Sequence, residues 1–103
     1  MNQDRVAILE KLLQMDPEDV FSHYALALEC LESQSERAEQ QFLRVLQLDP
    51  KYVAAYFQLG KIMADQDKIE AARNWLEKGI GVADQVGDHH ALGEMQDFLD
   101  QLD

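Results

Sequence analysis

Residues that break or cross-link a chain are scarce in this sequence of 103 residues, which contains two prolines, five glycines and one cysteine. A single cysteine excludes an intramolecular disulfide, so we expect a reducing compartment. The apolar neighbours of Cys30 predict a buried side chain rather than a reactive thiol. Because few prolines and glycines interrupt stretches of Leu, Ala, Gln, Glu and Asp, the composition is typical of an all-α protein.

Positive charge is also scarce. Nine Lys and Arg stand against twenty Asp and Glu, which gives a formal net charge of −11 at pH 7, and the basic residues do not cluster. Phosphate backbones and anionic membranes are bound mainly through clustered Lys and Arg, so we expect neither nucleic acid nor a membrane as partner. The acidity fits a solvated surface, adaptation to salt, or a surface that attracts a basic partner.

Long apolar runs are absent as well. No window approaches the ~18 apolar residues of a membrane span, and the first segment, MNQDRVAILEKLLQ, interleaves charges with apolar residues, unlike a signal peptide. We therefore expect a cytoplasmic protein. The length allows one domain with a modest core.

A repeat of 33 residues runs through the chain. Leu26, Leu59 and Leu92 are 33 residues apart, and each is followed by Ala or Gly. The segments AEQQFLRVLQLDP and ARNWLEKGIGVAD also align, and ILEKLLQMDP matches the end of the first of them, so the chain opens with the second half of a unit. We expect one domain made of a half-repeat helix over 1–16, repeats over 17–49 and 50–84, and a C-terminal capping helix over 85–103.

Cap signals divide the chain into helices. Asp16-Pro17 and Asp49-Pro50 each predict a capping side chain followed by proline at the first helical position. Ser33 and Glu36 have the spacing of a capping box, and Asp67 and Asp88 precede later apolar runs. Short connections favour antiparallel neighbours. The six predicted helices cover residues 3–15, 18–32, 36–48, 51–65, 68–83 and 88–101.

Gly60 lies inside a predicted helix, where glycine costs roughly 1 kcal/mol relative to alanine. Its place in the repeat offers an explanation. With Ala27 and Gly93 it removes bulk where the two helices of a unit are expected to cross closely, opposite Ala38 or Ala72.

These residues resemble the tetratricopeptide repeat family, in particular its small bacterial members. The family pattern runs aromatic, two residues, Leu-Gly, two residues, aromatic, then Ala, three residues, Phe, and Pro. The third unit keeps only His89, Leu92-Gly93 and Gln96. The first unit supplies His23, Leu26, Ala27, Cys30, Ala38, Phe42 and Pro50. The second unit matches the pattern with Tyr56, Leu59, Gly60, Met63, Ala72 and Leu76.

The resemblance implies a right-handed superhelix of antiparallel helix pairs. Its first helices would line a concave groove that binds a peptide or a partner helix. An apolar end and an acidic end would suit a ligand with apolar residues and basic flanks. The alternative is a self-assembling domain whose groove is filled by its homodimer partner. The resemblance assigns the groove to Phe21, Tyr24, Leu28, Leu31, Ala54, Phe57, Lys61, Ala64, His90, Glu94 and Asp97.

Signatures of catalysis are missing from the sequence. It has no Gly-rich phosphate loop, no serine nucleophile elbow and no Cys/His pair at a useful spacing, so we expect no enzyme and no cofactor. His90, Glu94 and Asp97 share one helix face, but no second cluster supplies further ligands, and we expect no metal site. His23 stands where the family often has an aromatic residue, which favours a packing role.

Overall fold

The computed structural model describes residues 1 to 102, and every regular element in this range is an α-helix. All six predicted helices are present, and their ends lie within three residues of the predicted ones. Within the same range, no helix is both long and apolar enough to cross a lipid bilayer. The helices are α1 (Gln3–Met15), α2 (Val20–Cys30), α3 (Ser35–Leu48), α4 (Val53–Asp65), α5 (Ile69–Val86) and α6 (His89–Asp100).

Two compact units contain these helices. Met1–Pro50 holds α1 to α3, and the part of the chain from Lys51 onward holds α4 to α6. Asp103, the last residue of the predicted capping segment, lies outside the described residues.

In the first unit, α2 packs against both α1 and α3. The rings of Tyr24 and Phe42 meet edge to face, with ring centroids 5.5 Å apart. Burial of apolar side chains from three helices is the main favourable term for a unit of this size. The core side chains are Val6, Leu9, Leu26, Ala27, Cys30, Ala38, Phe42 and Val45.

Ion pairs fasten α1 to the rest of the first unit. Arg5 Nη1 lies 2.8 Å from Glu29 Oε1 on α2, and Arg37 Nη2 on α3 lies 3.2 Å from Glu10 Oε2. The backbone N–H of Asn2 donates to the second carboxylate oxygen of Glu29. This bond, followed by that from Arg5, lowers the pKa of the Glu29 carboxyl below its ordinary value. Together with the burial of Val6 and Leu9, these contacts set the rotation of α1 about its own axis.

In the second unit, α5 packs against α4 and α6. A Cβ atom added to Gly60 would lie 2.8 Å from Cγ and Cδ2 of Leu76 and 3.6 Å from the carbonyl oxygen of Ala72. The predicted close crossing at Gly60 is therefore confirmed. The core side chains are Val53, Ala55, Tyr56, Leu59, Ile62, Met63, Ala72, Leu76, Ala83 and Met95.

The same prediction is wrong for Gly93, where an added Cβ would meet no atom within 4 Å. Among the described residues no helix follows α6 to cross it there. A close approach that the repeat does not predict occurs at Gly79, where a Cβ would lie 2.7 Å from Tyr56 Cβ and 2.5 Å from Met95 Sδ. Gly79 therefore lets α4 and α6 both approach α5.

The predicted roles of the two Asp-Pro pairs are wrong. Asp16 and Asp49 end α1 and α3, because their backbone N–H groups donate to the carbonyl oxygens four residues earlier. The Asp16 carboxylate accepts from the N–H of Glu18, and both prolines lie in turns. Since Asp followed by Pro suits the first two positions of a turn, the next helix begins three residues after each proline.

Of the predicted side-chain caps, Asp88 is confirmed, because its Oδ1 accepts from the N–H of Ala91 at 3.0 Å. The capping box of Ser33 and Glu36 is wrong. The turn after α2 is one residue longer than that prediction requires, so the N-cap residue is Gln34, whose side chain accepts no backbone N–H of the first helical turn.

Asp67 also differs from its predicted role as a cap of α5. It has a φ of +60° and closes α4, where the N–H of Lys68 donates to the Met63 carbonyl and that of Asp67 to the Ala64 carbonyl. Helix α5 ends in the same arrangement at Gly87, with a φ of +77°. Both are Schellman-type ends, and only the second has the glycine that the left-handed backbone favours.

Candidate partner-binding surfaces

The outward face of α2 carries the apolar side chains of the first unit that the sequence assigns to partner binding. Phe21 is 70% exposed and Leu28, two turns later, is 41% exposed. Tyr24 is half-buried because its ring packs on Phe42, and Leu31 is half-buried just beyond the end of the helix. We call Phe21, Tyr24, Leu28 and Leu31 the α2 surface.

The opposite face of α2 is fixed by hydrogen bonds. His23 is buried, its Nε2–H donates to the Pro17 carbonyl oxygen at 2.7 Å, and its Nδ1 lies 2.6 Å from the side-chain amide of Gln41. The hydroxyl of Ser22, also buried, donates to the Asp19 carboxylate. Because these bonds hold α2 in one rotation, Phe21 is directed away from the unit.

In the second unit, α4 presents Ala54, Phe57, Lys61 and Ala64 along one side, which we call the α4 surface. Ala54 is exposed and the other three are half-buried. The Lys61 Nζ lies 4.0 Å from the centroid of the Phe57 ring, a cation–π contact. The ring of Phe98 on α6 meets that of Phe57 edge-on at 5.8 Å. Phe57 therefore stabilises the contact between α4 and α6 and exposes only part of its ring.

The remaining predicted site residues lie on α6, where His90, Glu94 and Asp97 are all exposed. His90 Nε2 lies 3.2 Å from Glu94 Oε1. No Lys or Arg follows Lys78 in the sequence, whereas six acidic residues do. We call His90, Glu94 and Asp97 the acidic face of α6, because no basic side chain of its own helix or of the preceding turn neutralises it.

Among residues 1 to 102, no three His, Cys, Asp or Glu side chains lie close enough together to hold one metal ion. The buried thiol of Cys30 approaches the side-chain oxygen of Gln34 at 3.9 Å. Burial raises the pKa of this thiol, which keeps it protonated and unreactive at neutral pH.

Antiparallel helices that follow a 33-residue repeat define this chain as a helical-repeat protein. Residues 53–85 match the family model described as tetratricopeptide repeat. The whole chain is similar to a TPR repeat-containing protein of Pseudomonas aeruginosa strain PAO1, with 33% identity over 96 residues that cover 92% of this chain and 91% of the relative. The chain belongs to the tetratricopeptide repeat family.

Solved bacterial structures share the fold. The solution structure of a tetratricopeptide repeat domain protein from Salinibacter ruber is 39% identical, with a TM-score of 0.76 over 82% of this chain and 86% of the other. The solution structure of a Bordetella parapertussis protein is 28% identical, with a TM-score of 0.82 over 93% and 84%. The predicted all-α, TPR-like fold of a small bacterial protein is thus confirmed. Domains of this family are generally non-catalytic protein-interaction modules.

The eleven predicted site residues fall into three sets: the α2 surface, the α4 surface and the acidic face of α6. Within the predicted set, Lys61 contacts Phe57 and His90 contacts Glu94. Phe98 contacts Phe57 but was not predicted. A signal for it existed, because Ala91, Met95 and Phe98 repeat at helical spacing one residue beyond the polar positions chosen on α6.

Proposed function

We propose that this chain is a non-catalytic adaptor or assembly scaffold that binds a peptide or a partner helix. Apolar side chains of the ligand bind the α2 surface, and the net charge of −11 favours a ligand with basic flanks. The observation that carries this proposal is the exposure of Phe21, an aromatic side chain that is 70% accessible on a helix fixed from its other side.

An exposed aromatic residue next to exposed leucine supports an apolar ligand contact. Phe21 and Leu28 lie two helical turns apart on one side of α2, a separation that matches the i and i+7 side chains of a partner helix. Large aromatic side chains dominate binding energy when a partner buries them. Tyr24 lies between the two and adds a half-buried ring.

The charge of the second unit supports basic flanks on the ligand. Asp97 and Glu94 are exposed on a helix that contains no Lys or Arg, and the net charge of the chain is −11. Such a field raises the association rate of a basic ligand and weakens as salt screens it. An acidic ligand would be repelled by the same field.

A peptide-display selection against the purified protein tests the proposal. We expect the selected peptides to combine at least one large apolar residue with Lys or Arg. Their affinity should fall about tenfold or more in the Phe21→Gln variant, because a desolvated aromatic contact is lost. Raising NaCl from about 50 mM to about 500 mM should weaken binding further.

Val86→Gln is the matched control, since Val86 is an exposed apolar residue on α5 and the substitution changes polarity without charge. Selected peptides should bind this variant as they bind the parent protein. Selection of acidic peptides, or equal binding by the Phe21→Gln and Val86→Gln variants, would refute the proposed surface.

A further inference from the structure

Helix α1 carries an exposed apolar stripe that plays no part in the proposed function. Ile8, Leu12 and Met15 follow one another at i, i+4 and i+7, and they are 61%, 43% and 77% exposed. Val6 and Leu9, on the other side of the helix, are buried in the first unit. We call Ile8, Leu12 and Met15 the α1 stripe; it shares no residue with the α2 surface.

The repeat shows that the α1 stripe occupies positions that contact a helix elsewhere in the chain. The counterparts of Ile8 are Gln41, which bonds to His23 of α2, and Trp75, whose ring lies 6.1 Å from that of Tyr56 on α4. Each contact joins the second helix of a unit to the first helix of the same unit.

The same relation holds at Leu12. Its counterpart Val45 is fully buried, and its counterpart Gly79 lies against Tyr56 Cβ on α4 as well as Met95 Sδ on α6. Helix α1 is the second half of a unit, and among the described residues no first helix covers it. The α1 stripe is therefore the side of α1 that corresponds to the contact with the first helix of a unit.

We propose that the α1 stripe is covered by the same stripe of a second copy of this chain, in an antiparallel, two-fold symmetric pair. In that arrangement Ile8 packs on Met15 of the other copy, and the two Leu12 side chains meet near the axis. A stripe made only of apolar residues complements itself, which a two-fold interface requires.

The charge of α1 favours a second copy of this chain over an acidic or a basic partner. It also favours a contact between two α1 helices over a head-to-tail contact of α1 with α6 of another copy. Residues 3–15 carry Asp4, Arg5, Glu10 and Lys11, so α1 has no net charge in a chain of −11. Two copies can approach through α1 without the repulsion that the remaining surface imposes. The helix is also preorganised, because Arg5 and Glu10 both form ion pairs within the unit.

Helix α6 is a poor surface for a head-to-tail contact with α1. Gln96 is exposed on α6, whereas its counterparts Cys30 and Met63 are buried, and Gln96 donates to Asp100 at 2.9 Å. Three acidic residues and no basic one lie on this helix. A polar terminal helix of this kind ends a repeat array instead of extending it.

Sedimentation equilibrium of the whole chain tests the pair. A contact of one helix from each copy is at the small end of specific interfaces, so we expect a monomer–dimer equilibrium with a Kd of roughly 10 to 500 μM. The double variant Ile8→Glu, Met15→Glu should weaken it at least tenfold, whereas the matched control Val86→Glu should leave it unchanged. Added NaCl should strengthen the parent dimer, because an apolar contact between two acidic chains gains from screening.

Disulfide trapping provides a second readout that does not depend on destabilising the chain. A Leu12→Cys variant should form a linked dimer at least tenfold faster than a Val86→Cys variant, because Leu12 meets its symmetry mate. Cys30 is fully buried and does not interfere. Equal linking rates for the two variants overturn the proposal.

Three sedimentation results overturn it as well. They are a parent chain that stays monomeric to about 1 mM, growth beyond two copies, and a dimer that is lost in the Phe21→Gln variant but kept in the double α1 variant. A monomeric parent chain would mean that a different protein covers the α1 stripe. The last would assign self-association to the α2 surface.

Discussion

Gly60 and Gly79 are residues whose missing side chain is required by packing. At Gly60 a methyl group would press on Cγ and Cδ2 of Leu76, a fully buried side chain. At Gly79 it would press on Tyr56 Cβ, an atom tied closely to the backbone of α4. By contrast, Gly81 and Gly93 face open space, so packing gives no reason for glycine there.

We expect Gly60→Ala and Gly79→Ala each to lower the free energy of unfolding by about 1–3 kcal/mol, because the overpacked helices must separate. Gly81→Ala, in the same helix as Gly79, and Gly93→Ala, at the repeat position of Gly60, should raise it by roughly 0.5–1 kcal/mol through helix propensity. Urea titrations of the four variants measure these changes. Equal effects of Gly79→Ala and Gly81→Ala, or of Gly60→Ala and Gly93→Ala, would show that the crossing distances do not need glycine.

At the scale of single elements, the two helix ends with left-handed residues differ in one side chain. The ends of α4 and α5 make the same pair of backbone hydrogen bonds, but the left-handed residue is Asp67 in one and Gly87 in the other. A side chain in this conformation costs free energy that glycine avoids. The end of α4 is therefore a place where stability can be added.

We expect Asp67→Gly to raise the free energy of unfolding by up to about 1 kcal/mol, with part of the gain offset by the greater freedom of glycine in the unfolded chain. The reciprocal change, Gly87→Ala, should lower it by roughly 1 kcal/mol. Thermal unfolding followed by circular dichroism measures both. A destabilising Asp67→Gly would mean that the Asp67 side chain makes a stabilising contact of its own.

The attachment of α1 to α2 should depend on pH through Glu29. Its pKa is lower in the folded chain than its ordinary 4.5, so the ionised carboxylate stabilises the fold above that pH, and the contribution is lost as the pH falls through the folded pKa. We expect Glu29→Gln to be less stable than the parent at pH 7, and we expect this difference to shrink as the pH falls below 4.5. Glu32→Gln, an exposed carboxylate in the following turn, is the control. A difference that persists at low pH would point to packing instead of charge.

At the scale of the whole molecule, the surplus of acidic residues outweighs the ion pairs. Arg5, Arg37 and Arg73 each pair with a glutamate, and all three pairs are partly or fully exposed, a class that contributes little stability. The acidic residues in excess give a net charge of −11, and the repulsion among them acts over the whole chain.

Screening should therefore stabilise this protein. We expect the Tm to rise by several degrees between about 20 mM and about 500 mM NaCl, because reduced self-repulsion exceeds the loss of the exposed ion pairs. Differential scanning calorimetry measures the shift. A Tm that falls with salt would show that the ion pairs outweigh the repulsion.

Residues differ in how far their surroundings could be predicted. Apolar periodicity and the signals at helix ends were enough to place six helices, and the small residue after Leu59 was enough to place one close crossing, because apolar period and residue size are local properties. The capping roles of Ser33 and Asp67 could not be predicted in this way, since a cap depends on which backbone groups the turn leaves free.

The candidate surfaces show the same division. The resemblance to the family assigned Phe21 to a binding surface, and its side chain is exposed, whereas the position of Phe57 against Phe98 depends on how α6 packs on α4. The bare stripe on α1 could not be read from the pattern of that helix alone, because Ile8 and Leu12 look like core positions until the structure shows them exposed.

By itself the sequence determined the helical class, the repeat, the family and the charge of this protein, since these depend on residue type and spacing along the chain. Only the tertiary structure decided which small residues are crossed by a neighbouring helix and which apolar side chains stay uncovered. Those outcomes depend on distances of a few ångströms between segments far apart in sequence, which no local pattern contains.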